Sequence, residues 1–320
     1  LSANCIFCDQ RTPPWATTPR PEPVAAYVAT DPWGSAVGLL IEYAGDDPHG
    51  LLTHVTYPGG TIVQTIGLVG PGAAQGWNDR LDEDGIPLPV VERPVEEVIG
   101  RLAAALRYSA SVWPKLDDDG YVDLRALAAA RCTAMQSNED PDDGADWEPI
   151  SDEERADLLE DFLRESGMPG DHVTRSIADY CISYGDGYIE GGVLAWSPGE
   201  VMLFMADWLP RKALLDAEQG AAVPAVTRAW VQFALARAGI EQRWIDPAVA
   251  AVDEYADELA EALEDDEAWG PGKQVLTELI ERGVDITDPD ELEAGIAAYN
   301  TEIERRMREG QEPPSPTLWA

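Results

Sequence analysis

Lysine is almost missing from this 320-residue chain: Lys115, Lys212 and Lys273 stand beside 19 arginines, 3 histidines, 4 cysteines and 4 phenylalanines. Against these 22 basic residues are 60 acidic ones, a formal net charge of −38. So strong a negative field repels the phosphates of nucleic acids and the surface of anionic membranes, and excludes the large class of proteins that work by gripping them. No window approaches the ~18 consecutive apolar residues of a membrane-crossing helix, and the first residues show no basic segment leading into an apolar one. The expectation is a cytoplasmic chain with no membrane and no direct nucleic-acid partner. Cationic proteins, metal ions and neutral small molecules remain as partners.

The cysteines, Cys5, Cys8, Cys132 and Cys181, are too few and too scattered for a secreted disulfide framework in a chain of this length, so reduced thiols are expected. Cys5-Ile6-Phe7-Cys8 has the spacing at which two thiolates grip one zinc ion, but a structural site needs two further ligands and no second pair follows. Only the tertiary fold could complete it, from Cys132, Cys181, His49, His54 or His172. Zinc at Cys5 and Cys8 is therefore the one cofactor for which the sequence offers ligands.

What the chain has in plenty is material for a core: 45% hydrophobic residues, with 11 tryptophans and 10 tyrosines. A disordered chain would hold far fewer, so the acid must coat a folded body. Residues 1–23 form a Pro-rich extension carrying the CxxC. From residue 24, β-branched and aromatic runs at Ala25–Thr30, Ser35–Tyr43, Leu51–Tyr57 and Thr61–Val69 are separated by Gly, Pro and Asp turns, which predicts a small antiparallel meander. After a glycine-rich stretch the period becomes helical behind Pro94, and again from Val122 to Met135, giving helices to cover the sheet. Residues 24–136 thus read as an α+β domain, and residues 137–150 as an acidic linker.

Residues 151–309 read as an all-helical domain, followed by a Pro-rich tail, 310–320. Ser151 with Glu154 and Ser197 with Glu200 have the spacing of capping boxes. Asp246-Pro247 and Asp288-Pro289 look like N-caps, and Pro224 looks like the opening of a helix closed by Gly239. Pro210 predicts one kinked helix or two short ones across Val201–Leu215. The fold class expected is α+β, a small antiparallel β-meander with covering helices followed by an all-helical C-terminal domain.

Candidate chemistry is sparse. Asp207-Trp208-Leu209-Pro210-Arg211-Lys212 sets adjacent cations and an indole at a helix break, so Trp208, Arg211 and Lys212 are candidates for holding a small anion; the alternative is a core tryptophan with cations neutralising Asp207 and Asp216. The Asp117–Asp123 run resembles part of a calcium loop, yet with Gly120 in sixth place the first and twelfth places fall on Lys115 and Ala126, which lack carboxylates. Gly185–Gly192 lacks the lysine of a phosphate loop and reads as a plain loop. Two acid-rich runs remain: Glu139–Asp161, with twelve acids and one arginine, and Asp246–Glu267, with ten acids and no base. Each is either a solvated face or a docking face for a basic partner.

Across Trp196-Ser197-Pro198, Phe204–Lys212, Val223–Val226 and Arg228–Val231 the chain resembles a group of proteins from high-GC actinobacteria, over about 151–300. The resemblance implies a bacterial cytoplasmic origin and carries no activity with it. The function expected is thus a non-catalytic acidic interaction or regulatory protein that docks a basic protein, with a surface able to mimic the phosphate line of DNA. The alternatives are a metal-assisted hydrolase using carboxylate and histidine ligands, and a binder of small anions at Trp208, Arg211 and Lys212.

Overall fold

The computed structural model describes residues 21–83, 90–112, 119–133, 149–265 and 269–310. The chain divides between Glu148 and Pro149 into two compact units. The fold is α+β: the first unit carries a five-stranded antiparallel sheet, and the described part of the second is built of helices and turns. The CxxC, residues 137–148 of the linker, Asp117 and Asp118 of the Asp117–Gly120 turn, and residues 311–320 of the Pro-rich tail lie outside the described residues.

In the first unit β1 (Glu22–Thr30), β2 (Ala36–Ala44), β3 (His49–Thr56) and β4 (Ile62–Val69) are joined in sequence, and β5 (Val91–Arg93) adds to the free side of β1, giving the order β4-β3-β2-β1-β5. Pro23 lies within β1 at a register shift, one of the few places in a sheet where a residue without an N–H is tolerated. Alternation decides the two faces. Val37, Leu39, Ile41 and Tyr43 of β2 point with Leu51, Val55, Val63 and Ile66 into a core closed by Val98, Ile99, Leu102 and Leu106 of α2 (Val95–Ser111) and by Tyr121, Ala128 and Cys132 of α3 (Asp119–Thr133). The hydroxyl of Ser109 ties α2 to the sheet by accepting from the Val63 N–H at 2.8 Å while donating to the Ala105 carbonyl.

The opposite face carries α1 (Ala73–Glu83), an element that the run of glycines hid. Gly38 of β2 has no side chain because the Trp77 ring of α1 occupies the space a Cβ would take. That close approach seats the helix on the sheet.

The second unit begins with α4 (Asp152–Ser166), whose Ser151 and Glu154 form the expected capping box and whose end is turned by Gly167 at φ 70°. α5 (His172–Tyr188) is capped by Asp171 and takes in the first half of the stretch expected to be a loop, Gly185–Tyr188, while 189–192 lie outside the helix. Gly185 explains why glycine stands there: a Cβ on it would lie 2.8 Å from Val193 Cα, in the turn that follows. Then come α6 (Pro198–Met202), a π-helical turn (Leu203–Trp208) and α7 (Leu209–Lys212), continuous in backbone. The Leu209 N–H reaches back to Phe204 O, an i→i−5 bond. Widening the helix there lets Pro210 enter without the break its ring otherwise forces on the carbonyl four residues back.

α8 (Ala217–Arg237) starts at a capping box of Asp216 and Gln219, not at Pro224, which sits inside it. α9 (Gln242–Glu254) likewise contains Asp246 and Pro247 instead of starting there; Asp246 accepts from Gln242 Nε2 at 2.8 Å. α10 (Ala256–Glu264) and α11 (Pro271–Glu281) follow, and α12 (Pro289–Arg308) opens as expected, with Asp288 accepting from the Asp290 and Glu291 N–H groups. Hydrogen bonds and rings hold this bundle: Phe162 meets Trp230 and Phe233 edge to face at centroid distances of 5.3 and 5.6 Å, and Trp230 lies tilted against Phe233 at 5.6 Å.

The contact at Gly185 gives the first prediction. Gly185→Ala should cost about 1 to 3 kcal/mol by overpacking against Val193 backbone, whereas Gly187→Ala, with open space around its Cβ, should be neutral or stabilise by about 0.5 kcal/mol. Urea unfolding of the two variants checks this; equal stabilities would refute the close approach.

Candidate functional site

The Asp207–Lys212 segment lies on the π turn and α7, and its tryptophan is part of a nest of rings. Tyr180, Tyr184 and Tyr188 fall four residues apart on one face of α5. Tyr184 is the hub, with Tyr188, Trp196, Phe204 and Trp208 at centroid distances of 5.6, 5.5, 5.2 and 5.7 Å. Trp208 stacks on Phe204 and meets the edges of Tyr180 and Tyr188, and its indole nitrogen is buried without a hydrogen-bond partner. Arg211 is paired within its own helix, donating from one nitrogen to both oxygens of Asp207 at 3.0 and 3.2 Å. Lys212 is exposed. The three residues proposed for an anion therefore stand in different surroundings: a ring nest, a local ion pair and solvent.

The residue of this segment that sequence reasoning passed over is Glu200. Its spacing from Ser197 suggested a capping box, and the Ser197 hydroxyl does accept from the Glu200 N–H. The carboxylate, however, turns inward: it is 2% exposed and accepts from the Tyr184 hydroxyl at 2.6 Å. Burial pushes its pKa up to about 7, the Tyr184 hydrogen bond opposing the rise. Burial, then the Glu200 charge, push the Tyr184 hydroxyl upward too, so it stays a donor. The missed signal was Tyr at 180, 184 and 188 with Trp196, Phe204 and Trp208, an aromatic stripe with an acid in its middle.

A second buried charge grips the far end of the same segment. Lys273 is 6% exposed, lies 4.5 Å from the centroid of the Trp269 ring and donates to Pro210 O at 2.8 Å. The Gly270 N–H donates to Arg211 O at 3.1 Å, and a Cβ on Gly270 would fall 2.6 Å from that oxygen. The last carbonyls of α7, which have no partner inside the helix, are thus satisfied by a cation and an amide from the start of α11.

The acidic run on α9 and α10 is exposed at Asp253, Glu254, Asp257, Glu258, Glu261 and Glu264, while Leu259 faces inward. Asp253 pairs with Arg228. Among the described residues no basic group lies within ion-pair distance of the other five. The acids of α4 differ, since Arg175 engages Glu160 and both Arg164 and Arg237 engage Asp161.

Among the described residues, nucleophiles and metal ligands do not converge. Cys132 and Cys181 are free and buried; burial pushes Cys132 up to about 12 and Cys181 upward as well, which leaves both as inert thiols at neutral pH. His49 bonds Asp47 O and stacks on Tyr43, and His172 begins α5. Among the described residues no three His, Cys, Asp or Glu side chains are gathered as a metal ion requires. Cys5 and Cys8 lie outside them. Also among the described residues, no helix is long and apolar enough to cross a membrane. Comparison with protein-family models, with curated proteins and with solved structures finds no match to this chain.

Glu200 makes stability depend on pH. Its folded pKa lies above its ordinary value of 4.5, so the folded chain keeps a proton that the unfolded chain releases. The stabilisation is fully present below about pH 4.5 and lost as pH rises through about 7, a swing on the order of 3 kcal/mol. Glu200→Gln should remove that part of the pH dependence and be the more stable chain at pH 8. Urea unfolding at pH 5 and pH 8 tests this, and identical pH slopes for the two chains would contradict it.

Proposed function

We propose that this protein is a non-catalytic interaction or regulatory protein of the cytoplasm that docks a basic protein surface on the acidic face of α9 and α10. The observation that carries the reading is that Glu254, Asp257, Glu258, Glu261 and Glu264 are exposed with no basic neighbour within ion-pair distance among the described residues, although arginines elsewhere in the unit are spent on local pairs. A row of carboxylates in water attracts a cationic patch over roughly a Debye length, ~8 Å at physiological salt, and repels nucleic acid by the same field. Two free, buried thiols suit a reducing compartment. The metal-assisted hydrolase has no gathered ligand set among the described residues to favour it. The anion-binding reading at Trp208, Arg211 and Lys212 has to compete with Asp207 for Arg211.

The test is native mass spectrometry of the protein purified at low salt from its own cells, beside two variants with equal charge removed. One carries Glu254→Gln, Asp257→Asn, Glu258→Gln and Glu261→Gln; the other carries four neutralised acids on α12 and at its C-cap, Asp290→Asn, Glu293→Gln, Glu304→Gln and Glu309→Gln. A basic protein should co-purify, leave on raised salt, and bind the first variant at least about ten-fold more weakly. Equal loss in both variants, or no complex, would sink the docking face.

A further inference from the structure

The outer face of the first unit's sheet, on the side carrying α1, holds a cavity of about 420 Å³ lined by Tyr27, Glu42, Gly72, Ala74, Gln75 and Val90. That volume falls within the ~300–1,000 Å³ of small-molecule sites. Sheet register builds its floor. Ala25 is opposite Glu42 and Tyr27 opposite Leu40, so Tyr27 and Glu42 are diagonal neighbours on one face; on the other side Tyr27 is opposite Glu92 of β5. The Tyr27 phenol therefore stands between two carboxylates, and burial, then Glu42, then Glu92 push its pKa upward. One wall comes from the start of α1, where the Ala74 N–H donates to one Glu42 oxygen at 3.4 Å. Gln75 donates its amide nitrogen to Asp79 Oδ1 at 2.8 Å, which leaves its carbonyl oxygen as the free end.

These polar groups are mainly acceptors: the second Glu42 oxygen and the Gln75 carbonyl accept, and the Tyr27 hydroxyl can accept as well as donate. Among the described residues, no basic side chain lines the cavity. A carboxylate that faces a concave space with acceptors around it, and with no basic side chain among the described lining, is complementary to a compact group with several N–H donors and a positive charge.

We propose that this cavity binds a small organic cation, a primary amine or a guanidinium group, with Glu42 as the charge partner and Tyr27 and Gln75 as further acceptors. The site is independent of the α9–α10 face. Its occupant is either a free amine or the end of a basic side chain on another protein; the same chemistry recognises both.

The test follows backbone and side-chain amide signals of the full chain by NMR while methylguanidinium is added, with methylurea as the uncharged isostere. Saturable shifts confined to Gly72, Ala74, Gln75 and their neighbours, at least ten-fold weaker for methylurea, are expected. Glu42→Gln should abolish them, and Tyr27→Phe, which keeps the ring and removes the acceptor, should weaken them; each variant is first checked for an unchanged amide spectrum. Shifts that do not saturate, that spread over the acidic helices, or that persist in Glu42→Gln would overturn the proposal by showing counter-ion attraction alone. Titration with a blocked tripeptide Gly-Arg-Gly against agmatine then separates the sources: tighter peptide binding marks a protein side chain, tighter agmatine binding a free amine, and binding of neither overturns the site.

Discussion

An ionised carboxylate taken out of water without a partner costs more than a core contact returns, and this one constraint orders the whole molecule. With 60 acids and 22 bases, most of the acid can only be solvated. The buried polar residues accordingly include a single acid and a single base, Glu200 and Lys273, among those described. Both hold the same short segment: Glu200 starts it and is anchored to Tyr184, and Lys273 caps its end at the Pro210 carbonyl. The segment between them contains the π turn and Pro210, where the helix departs from α geometry. Buried polar anchors of this kind fix a geometry that apolar packing alone leaves open, because each must find one specific partner or remain unsatisfied.

The arginines follow from the same constraint. Arg155 reaches Asp179 and the Ser183 hydroxyl, Arg175 reaches Glu160, and Arg282 bridges Glu278 and Glu302 between α11 and α12. A planar guanidinium can serve two helices at once, which a lysine ammonium does less well. Of the 19 arginines that stand beside 3 lysines, these join two helices, while others such as Arg211 and Arg306 pair within one. The carboxylates on the remaining faces are left to water or to whatever binds there.

What could be read from the sequence was what local chemistry decides. β1 to β4 were marked by turn residues and by alternation, and Ser151 and Asp288 cap where their side chains can reach an N–H two or three residues on. What could not be read was decided by partners far away in sequence. α1 has glycines in and before it and is seated by the Trp77 ring on Gly38; Pro224 and Pro247 look like helix starts and are carried inside longer helices by packing against neighbours. Glu200 is the sharpest case. Ser-Pro-Gly-Glu at 197–200 satisfies every local rule for a capping box, but the glutamate's partner is the Tyr184 hydroxyl sixteen residues earlier, visible only once the helices are side by side.

The acidic face and the outer-face cavity place different demands on a ligand, and that difference bears on how each could discriminate. Flexible, exposed side chains on α9 and α10 recognise charge density, with little geometric selection, and salt weakens them. At Glu42 the diagonal pairing of strands and the seat of α1 hold acceptors in fixed positions, so shape and donor count enter along with charge. Neutralising charge on the helical face therefore alters attraction, whereas changing one acceptor in the cavity alters selectivity between an amine and its uncharged isostere. A chain with so large a surplus of carboxylates needs that second kind of site if it is to tell one cation from another, because its long-range field attracts them all.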